Sequence, residues 1–149
     1  RDRSVSRGLG DVYKRQHQVI ASPFKPIDYM DKIDVLAARY LTDTKITCKY
    51  LTVELKKDEA EKSTIDQILK YVDWVCTEYA YGDYEMIEAC IIAAGYEEGM
   101  DRYYREVVQR HYTQGSHPVR NKQWNNLKLL KYTCVDGEIV YEDVTPPLR

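Results

Sequence analysis

The order of apolar periodicities along the 149 residues predicts an α/β fold, a mixed central β-sheet flanked by helices. Three observations carry that expectation. "KIDVLAARY" and "ITCKYLTVELKK" alternate at strand period and read as an antiparallel hairpin across the turn residues "TDTK". "DEAEKSTIDQILKYVDWVCTEYA" then changes to helical spacing, with Ile65, Ile68, Leu69, Val72, Val75, Cys76 and Tyr79 on one stripe. The short continuous apolar run "MIEACIIAAGY" follows, as suits a central parallel strand reached by a helical crossover.

The first sixteen residues, "RDRSVSRGLGDVYKRQ", are rich in Arg, Ser and Gly and show no periodicity. They resemble translated sequencing-adapter sequence, as found at the ends of metagenomic reading frames, so residues 1–16 are read as a non-native or disordered tail. Residues 17–30, with Pro23 and Pro26, read as a linker, and 31–149 as one domain, truncated at its N-terminus if the adapter reading holds. Within the domain, Ser63 or Thr64 is the expected N-cap of the first helix, with Asp66 and Gln67 in its first turn. A tyrosine-rich helix is expected from Met100 to about Tyr112 and a loop at "TQGSHP". "LKLLKYTCV" and "EIVYEDV" close the chain as strands around the Asp136-Gly137 turn.

Composition sets the class. At 44% hydrophobic and 31% charged the chain is that of a soluble globular protein, and no apolar run reaches membrane-spanning length. No secretory signal is read, and it is the cysteine usage that leads to the expectation of a reducing, cytoplasmic location. Cys48, Cys76, Cys90 and Cys134 are widely spaced without a C-x-x-C pair, which favours free thiols over disulfides or zinc. The net charge is −2, and −5 without residues 1–16, so nucleic-acid binding has to come from a local feature.

That feature is sought on two strands. Leu51, Val53 and Leu55 point to one side and are the expected core face; Thr52, Glu54 and Lys56 point to the other, as solvated surface or as a site. Asp34 sits mid-strand between apolar neighbours, where aspartate is depleted and a buried carboxylate needs a partner or a metal. If the strands pair, Asp34 and Glu54 converge. Two carboxylates suit a hard divalent cation, Mg²⁺ or Mn²⁺, and Lys56 one pleat beyond could meet an attacking water or the developing phosphate charge. Gln67 and Tyr71, spaced i, i+4, stack on one side of the following helix, and Gln67 could reach toward that site.

Asp34 in "KIDVLAARY", then "LTVELKK", "IDQILKYVDWV" and "EACIIAAGY", resembles the core of the PD-(D/E)XK, or restriction-endonuclease-like, nuclease superfamily, and within it the NucS/EndoMS group of DNA endonucleases. The resemblance spans about Asp31 to Gly95; "IVYEDV" is placed like that group's closing strands. It implies a restriction-endonuclease-like core and Mg²⁺- or Mn²⁺-dependent DNA hydrolysis in restriction, repair or defence. Asp34, Glu54 and the Leu55 carbonyl would be metal ligands, Lys56 the catalytic lysine, and Gln67 a site-supporting residue. It also implies DNA as partner and dimers where paired cuts are made. The family's helix before the first catalytic strand would fall in a region that is short here and includes the adapter-like residues, and no N-terminal DNA-binding domain like the group's is read.

Plainer readings stand beside these. Glu-x-Lys on a strand is commonly solvated surface. His17, His111 and His117 lack ligand spacing and read as surface residues. Tyrosines 79, 81, 84, 96, 103, 104 and 112 could stack on bases but read better as the rim of the core. "PVRNKQWNNLKLLK", with Arg120, Lys122, Lys128 and Lys131 around Trp124, is either a phosphate-contacting stretch, to which Tyr71 could add, or a solvated loop. Two other functions stay open: a catalytically silent domain of the same fold serving as a nucleic-acid-binding or assembly module, and a purely structural α/β module.

Overall fold

The computed structural model describes residues 13–20, 32–41 and 44–148. Three strands, β1 (Tyr13–Ile20), β2 (Lys32–Tyr40) and β3 (Thr47–Leu55), pair antiparallel in sequence order. β1 crosses the boundary drawn at residue 16 between tail and linker; residues 1–12 and 21–31 lie outside the described residues. After a two-residue strand, β4 (Glu59–Ala60), helix α1 (Lys62–Glu78) crosses over to β5 (Ile87–Ala93), which lies parallel to β3. Then come β6 (Gly95–Tyr96), paired with β4, helix α2 (Met100–Val107), and a hairpin of β7 (Arg110–Gln114) and β8 (Arg120–Trp124). β9 (Leu127–Val135) joins β5 in parallel, and β10 (Glu138–Asp143) folds back on β9. The main sheet has the order β1-β2-β3-β5-β9-β10. This is the mixed α/β sheet that the periodicities predict, with β5 central and parallel on both sides.

Both parallel crossovers step the same way along the sheet, so right-handed connections put α1 and α2 on one face. Ile65, Ile68, Leu69, Val72 and Val75 of α1 pack there with Met100 and Tyr104 of α2 over Ile87, Ala89, Ile91, Leu127 and Leu129. Each of these fully buried aliphatic side chains contributes on the order of 1.5–3 kcal/mol.

Helix ends differ from expectation for tertiary reasons. The N-cap of α1 is Glu61, with no side-chain cap bond, so Ser63 and Thr64 lie inside the first turn. Capping comes instead from Glu97, which accepts from the Lys62 amide at 2.9 Å and pairs with the Lys62 ammonium at 3.0 Å. α2 starts after Gly99, whose φ of +78° suits glycine, and stops at Val107 because 110–114 leaves to form β7. The rest of the expected "TQGSHP" loop is the turn of that hairpin.

The tyrosine-rim reading fits Tyr84, Tyr96, Tyr103 and Tyr112, which pack at the core's margin, and Tyr104, which is fully buried. Tyr81 departs from it, being 95% exposed. All four cysteines are free, Cys76 and Cys90 buried and Cys134 exposed. No helix among the described residues is long and apolar enough to cross a membrane.

Candidate active site

On β3 the alternation is as the sequence suggests and Val53 is buried as expected, but the opposite face is buried more deeply. Tyr50, Thr52 and Glu54 stand beside Ile87, Ala89 and Ile91 of β5, on the face that the helices cover. Thr52 is fully buried and Glu54 is 3% exposed, whereas Leu55, assigned above to the core, is 49% exposed. Alternation groups residues by face; the handedness of the crossovers decides which face is covered.

A parting of strands makes room for the site. The β2–β3 ladder ends at Val35 opposite Val53, while β2 stays paired with β1 through Ile33 and Lys32. Beyond the last rung, the Asp34 carboxylate replaces a backbone acceptor and takes the Leu55 amide at 2.9 Å. Glu54 Oε1 meets Lys56 Nζ at 3.1 Å, and the Lys56 amide donates to Ile92 of β5 at 2.9 Å. Asp34, Glu54, Leu55 and Lys56 are thus gathered at the carboxyl end of β3, the end of parallel strands where open α/β sheets place their sites.

The electrostatics single out Glu54. Burial pushes its carboxyl above the ordinary glutamate range, and the negative charge of Asp34 adds to that. The hydrogen bond and charge of Lys56 pull the other way without cancelling it. Glu54 Oε2 is buried without a hydrogen-bond partner, as is Thr52 Oγ1 on the same face. A carboxylate oxygen orphaned inside a protein is costly, and an oxygen-liganded cation would satisfy it. Among the described residues no group of three or more His, Cys, Asp or Glu side chains is gathered for a metal. Two carboxylates and the Leu55 carbonyl are still a donor set that a hard cation accepts, since Mg²⁺ keeps several waters. The residues present fit such an ion.

Gln67 and Tyr71 act as a relay rather than as a contact surface. Gln67 Nε2 donates to Tyr71 Oη at 2.6 Å, and Tyr71 Oη donates to the Lys32 carbonyl at 2.6 Å. They tie α1 to the start of β2, two residues before Asp34. Tyr71 is 1% exposed, which corrects its assignment as a nucleic-acid contact. The same correction applies to Trp124, 4% exposed, whose indole N–H donates to the Ile87 carbonyl at 2.8 Å. Lys122 pairs with Glu85 at 2.9 Å, and the Lys49 ammonium holds the Glu85 carbonyl at 2.7 Å. Arg120 is exposed. Arg120 and Lys122 therefore sit at the amino end of β3 and β5, where Lys49 is about 16 Å from Glu54 at strand rise, and the structure does not bring these two to the carboxylates. Lys128 and Lys131 lie further along β9, Lys131 opposite Ala93 at the carboxyl end of β5.

One contact near the site carries no clear sequence signal. Tyr132 of β9 donates to the Lys57 carbonyl at 2.6 Å, anchoring the chain just after Lys56. Thr52 shares the face of Glu54, which its spacing of two does indicate, but its burial is not legible from that. His111 and His117 are exposed, as expected.

No family model matches the chain, and no curated protein does. Among solved structures it is similar to a repair endonuclease from Pyrococcus abyssi, at 22% identity over 64% of this chain and 35% of that one, TM-score 0.42. EndoMS bound to double-stranded DNA is similar at 22% identity over 63% and 33%, TM-score 0.41. EndoMS in apo form is similar at 19% identity over 66% and 35%, TM-score 0.39. The chain spans about a third of the length of these proteins.

Proposed function

We propose that the chain is the catalytic domain of a metal-dependent DNA endonuclease, hydrolysing phosphodiester bonds with Mg²⁺ or Mn²⁺. The observation that carries the reading is the meeting of Asp34, Glu54 and Lys56 where β2 and β3 part, with one Glu54 oxygen buried and unpartnered. Asp34, Glu54 and the Leu55 carbonyl would hold the cation. When bound, it polarises a phosphoryl oxygen and lowers the pKa of a coordinated water.

The chain's own residues then have defined tasks. Asp34 is oriented by the Leu55 amide, so its carboxylate enters the site with little freedom left to lose. Lys56, at 35% side-chain exposure, carries its ammonium at the mouth of the site, where a phosphate can accept a hydrogen bond. Gln67 and Tyr71 hold the β2 end that presents Asp34. Water is the nucleophile in this reading, and no covalent enzyme intermediate is formed. DNA is the proposed substrate and the cytoplasm the proposed location.

The test is Mn²⁺-dependent cleavage of a panel of single- and double-stranded DNA by the chain, by Lys56→Ala and by Glu54→Ala. Cleavage by the parent alone is the expected result. Retained metal-dependent cleavage by Glu54→Ala would overturn the reading. The second reading, a catalytically silent nuclease-fold module, is favoured by the lack of a third gathered acidic side chain among the described residues. It expects no gain in thermal stability from Mn²⁺, whereas a working site gains by linkage.

A further inference from the structure

We propose that the outer edge of β10 docks an extended peptide, flanked by Lys or Arg and apolar at its centre, as an added strand of the sheet. β10 is the last strand of the sheet, and no described strand lies beyond it. All six of its residues are exposed. The Asp136-Gly137 turn, with φ of +51° and +81°, pairs Glu138 with Val135, and the Val144 amide donates to Leu129 at 2.9 Å. Antiparallel alternation then directs the polar backbone groups of Glu138, Val140 and Glu142 at β9. Those of Ile139 and Tyr141 point away from the sheet, unpaired among the described residues.

Natural edges are blunted by charged side chains, by proline, by bulges or by inward charge, and β10 carries its acidic residues, Glu138, Glu142 and Asp143, only at its ends. Here Ile139, Val140 and Tyr141 are 59%, 50% and 56% exposed, apolar on both faces of the strand, with Val135 at 53% beside them. Charge identifies the occupant. Residues 132–143 hold four acidic residues, Asp136, Glu138, Glu142 and Asp143, and no basic one. Lys131 of β9 is the register partner of Glu142 and Lys128 reaches Asp143 at 3.9 Å, so the four acids outnumber the two cations beside them.

A second copy of the chain fits poorly. The register that overlaps the whole strand with a two-fold mate sets Ile139 against Tyr141, and Glu138 of each copy against Glu142 of the other. Like charges directly opposite destabilise a ladder. An added strand with basic residues opposite Glu138 and Glu142 and three apolar residues between them satisfies the outward amides, the apolar centre and the charges together.

The probe is a fluorescein-labelled Lys-Lys-Ile-Val-Val-Lys peptide, compared by anisotropy with Glu-Glu-Ile-Val-Val-Glu. The full chain should bind the basic probe and not the acidic one. Glu142→Lys should weaken binding about ten-fold or more, and so should Ile139→Pro, which removes an outward N–H while leaving the β9 rungs intact. Should Ile139→Pro unfold the chain, a basic probe N-methylated on alternate residues removes the same hydrogen bonds from the other side and should bind as weakly. Three results would each overturn the proposal: equal binding of the two probes or of neither, no effect of the proline or N-methyl change, and a dimer in light scattering that Ile139→Pro dissociates. None of these readouts involves metal or cleavage, so they stand apart from the nuclease reading.

Discussion

The substitution Glu54→Gln should make the metal-free protein more stable at neutral pH and less responsive to metal. Glu54 is 3% exposed, one oxygen has no partner, and burial together with Asp34 raises its pKa. A carboxyl whose folded pKa lies above its unfolded value, about 4.3, favours the folded state when protonated. Stability from this group is therefore greatest below about pH 4 and falls as pH rises through the folded value. Glutamine removes the charge and keeps the shape. A buried acceptor left without a partner costs about 1–3 kcal/mol, more when it is charged, and the neutral amide removes the charged part of that cost. Losing the charged hydrogen bond to Lys56 costs about 1.5–3 kcal/mol at full strength, and less here because Lys56, 35% exposed, regains water. A net gain of roughly 1 kcal/mol, or about 2–4 °C in Tm, follows for a chain of this size. Thermal unfolding by circular dichroism in a chelator, from about pH 4 to about pH 8, reads it directly, and the gap should close at the acid end. Saturating Mn²⁺ should reverse the order, since one bound ion at a hundred times its Kd adds about 2.7 kcal/mol to the parent. A variant less stable than the parent at neutrality without metal would refute the reasoning, as would a gap independent of pH.

Other consequences follow from single contacts. Tyr71→Phe strands the Lys32 carbonyl and the Gln67 amide and should cost about 1–3 kcal/mol in urea unfolding at unchanged slope. Gly137→Ala meets nothing within 4 Å, so its cost, about 1 kcal/mol, comes from φ of +81° alone and should appear as loss of hairpin amide protection. Glu97→Ala removes the cap on α1; the Lys62 bonds hold the Glu97 carboxyl below its ordinary range, so its stabilisation is present at neutrality and lost on acidification. The Tm deficit of that variant should shrink below about pH 4.

Local pattern made some of the fold legible. Lys32–Tyr40 and Leu127–Val135 read correctly to the residue because alternation and turn chemistry are properties of the segment itself. The β7–β8 hairpin was not legible: "RHYTQ" and "RNKQW" lack an apolar alternation. What holds it is distant, namely Gln114 on Asp83 and Glu85, Lys122 on Glu85, and Trp124 on Ile87. The cap of α1 fails to show for the same reason, since Glu97 lies thirty-five residues away. The burial of Tyr71 and Trp124 is not legible either, because an aromatic near basic or polar neighbours carries no mark of the carbonyl that its polar atom will find.

The juxtaposition of Asp34, Glu54 and Lys56 was legible in the sequence, and its environment was not. Asp34, Glu54 and Lys56 do meet, as a depleted residue type in one strand and a two-residue spacing in the next suggested. What the spacing did not contain is that the face bearing Glu54 is the one the helices cover. That reversal changes the chemistry. A solvated Glu-Lys pair would contribute little, at most about 1 kcal/mol. A glutamate at 3% exposure with an orphaned oxygen is a standing cost. Sequences otherwise agree with their folds from level to level, and the disagreements collect where function demands them. Glu54 buried beside exposed Leu55, on a strand whose neighbour peels away two residues earlier, is such a disagreement. A cation coordinated there would turn the cost into binding energy, so the metal dependence of stability in the parent and in Glu54→Gln tests the site before any substrate is known.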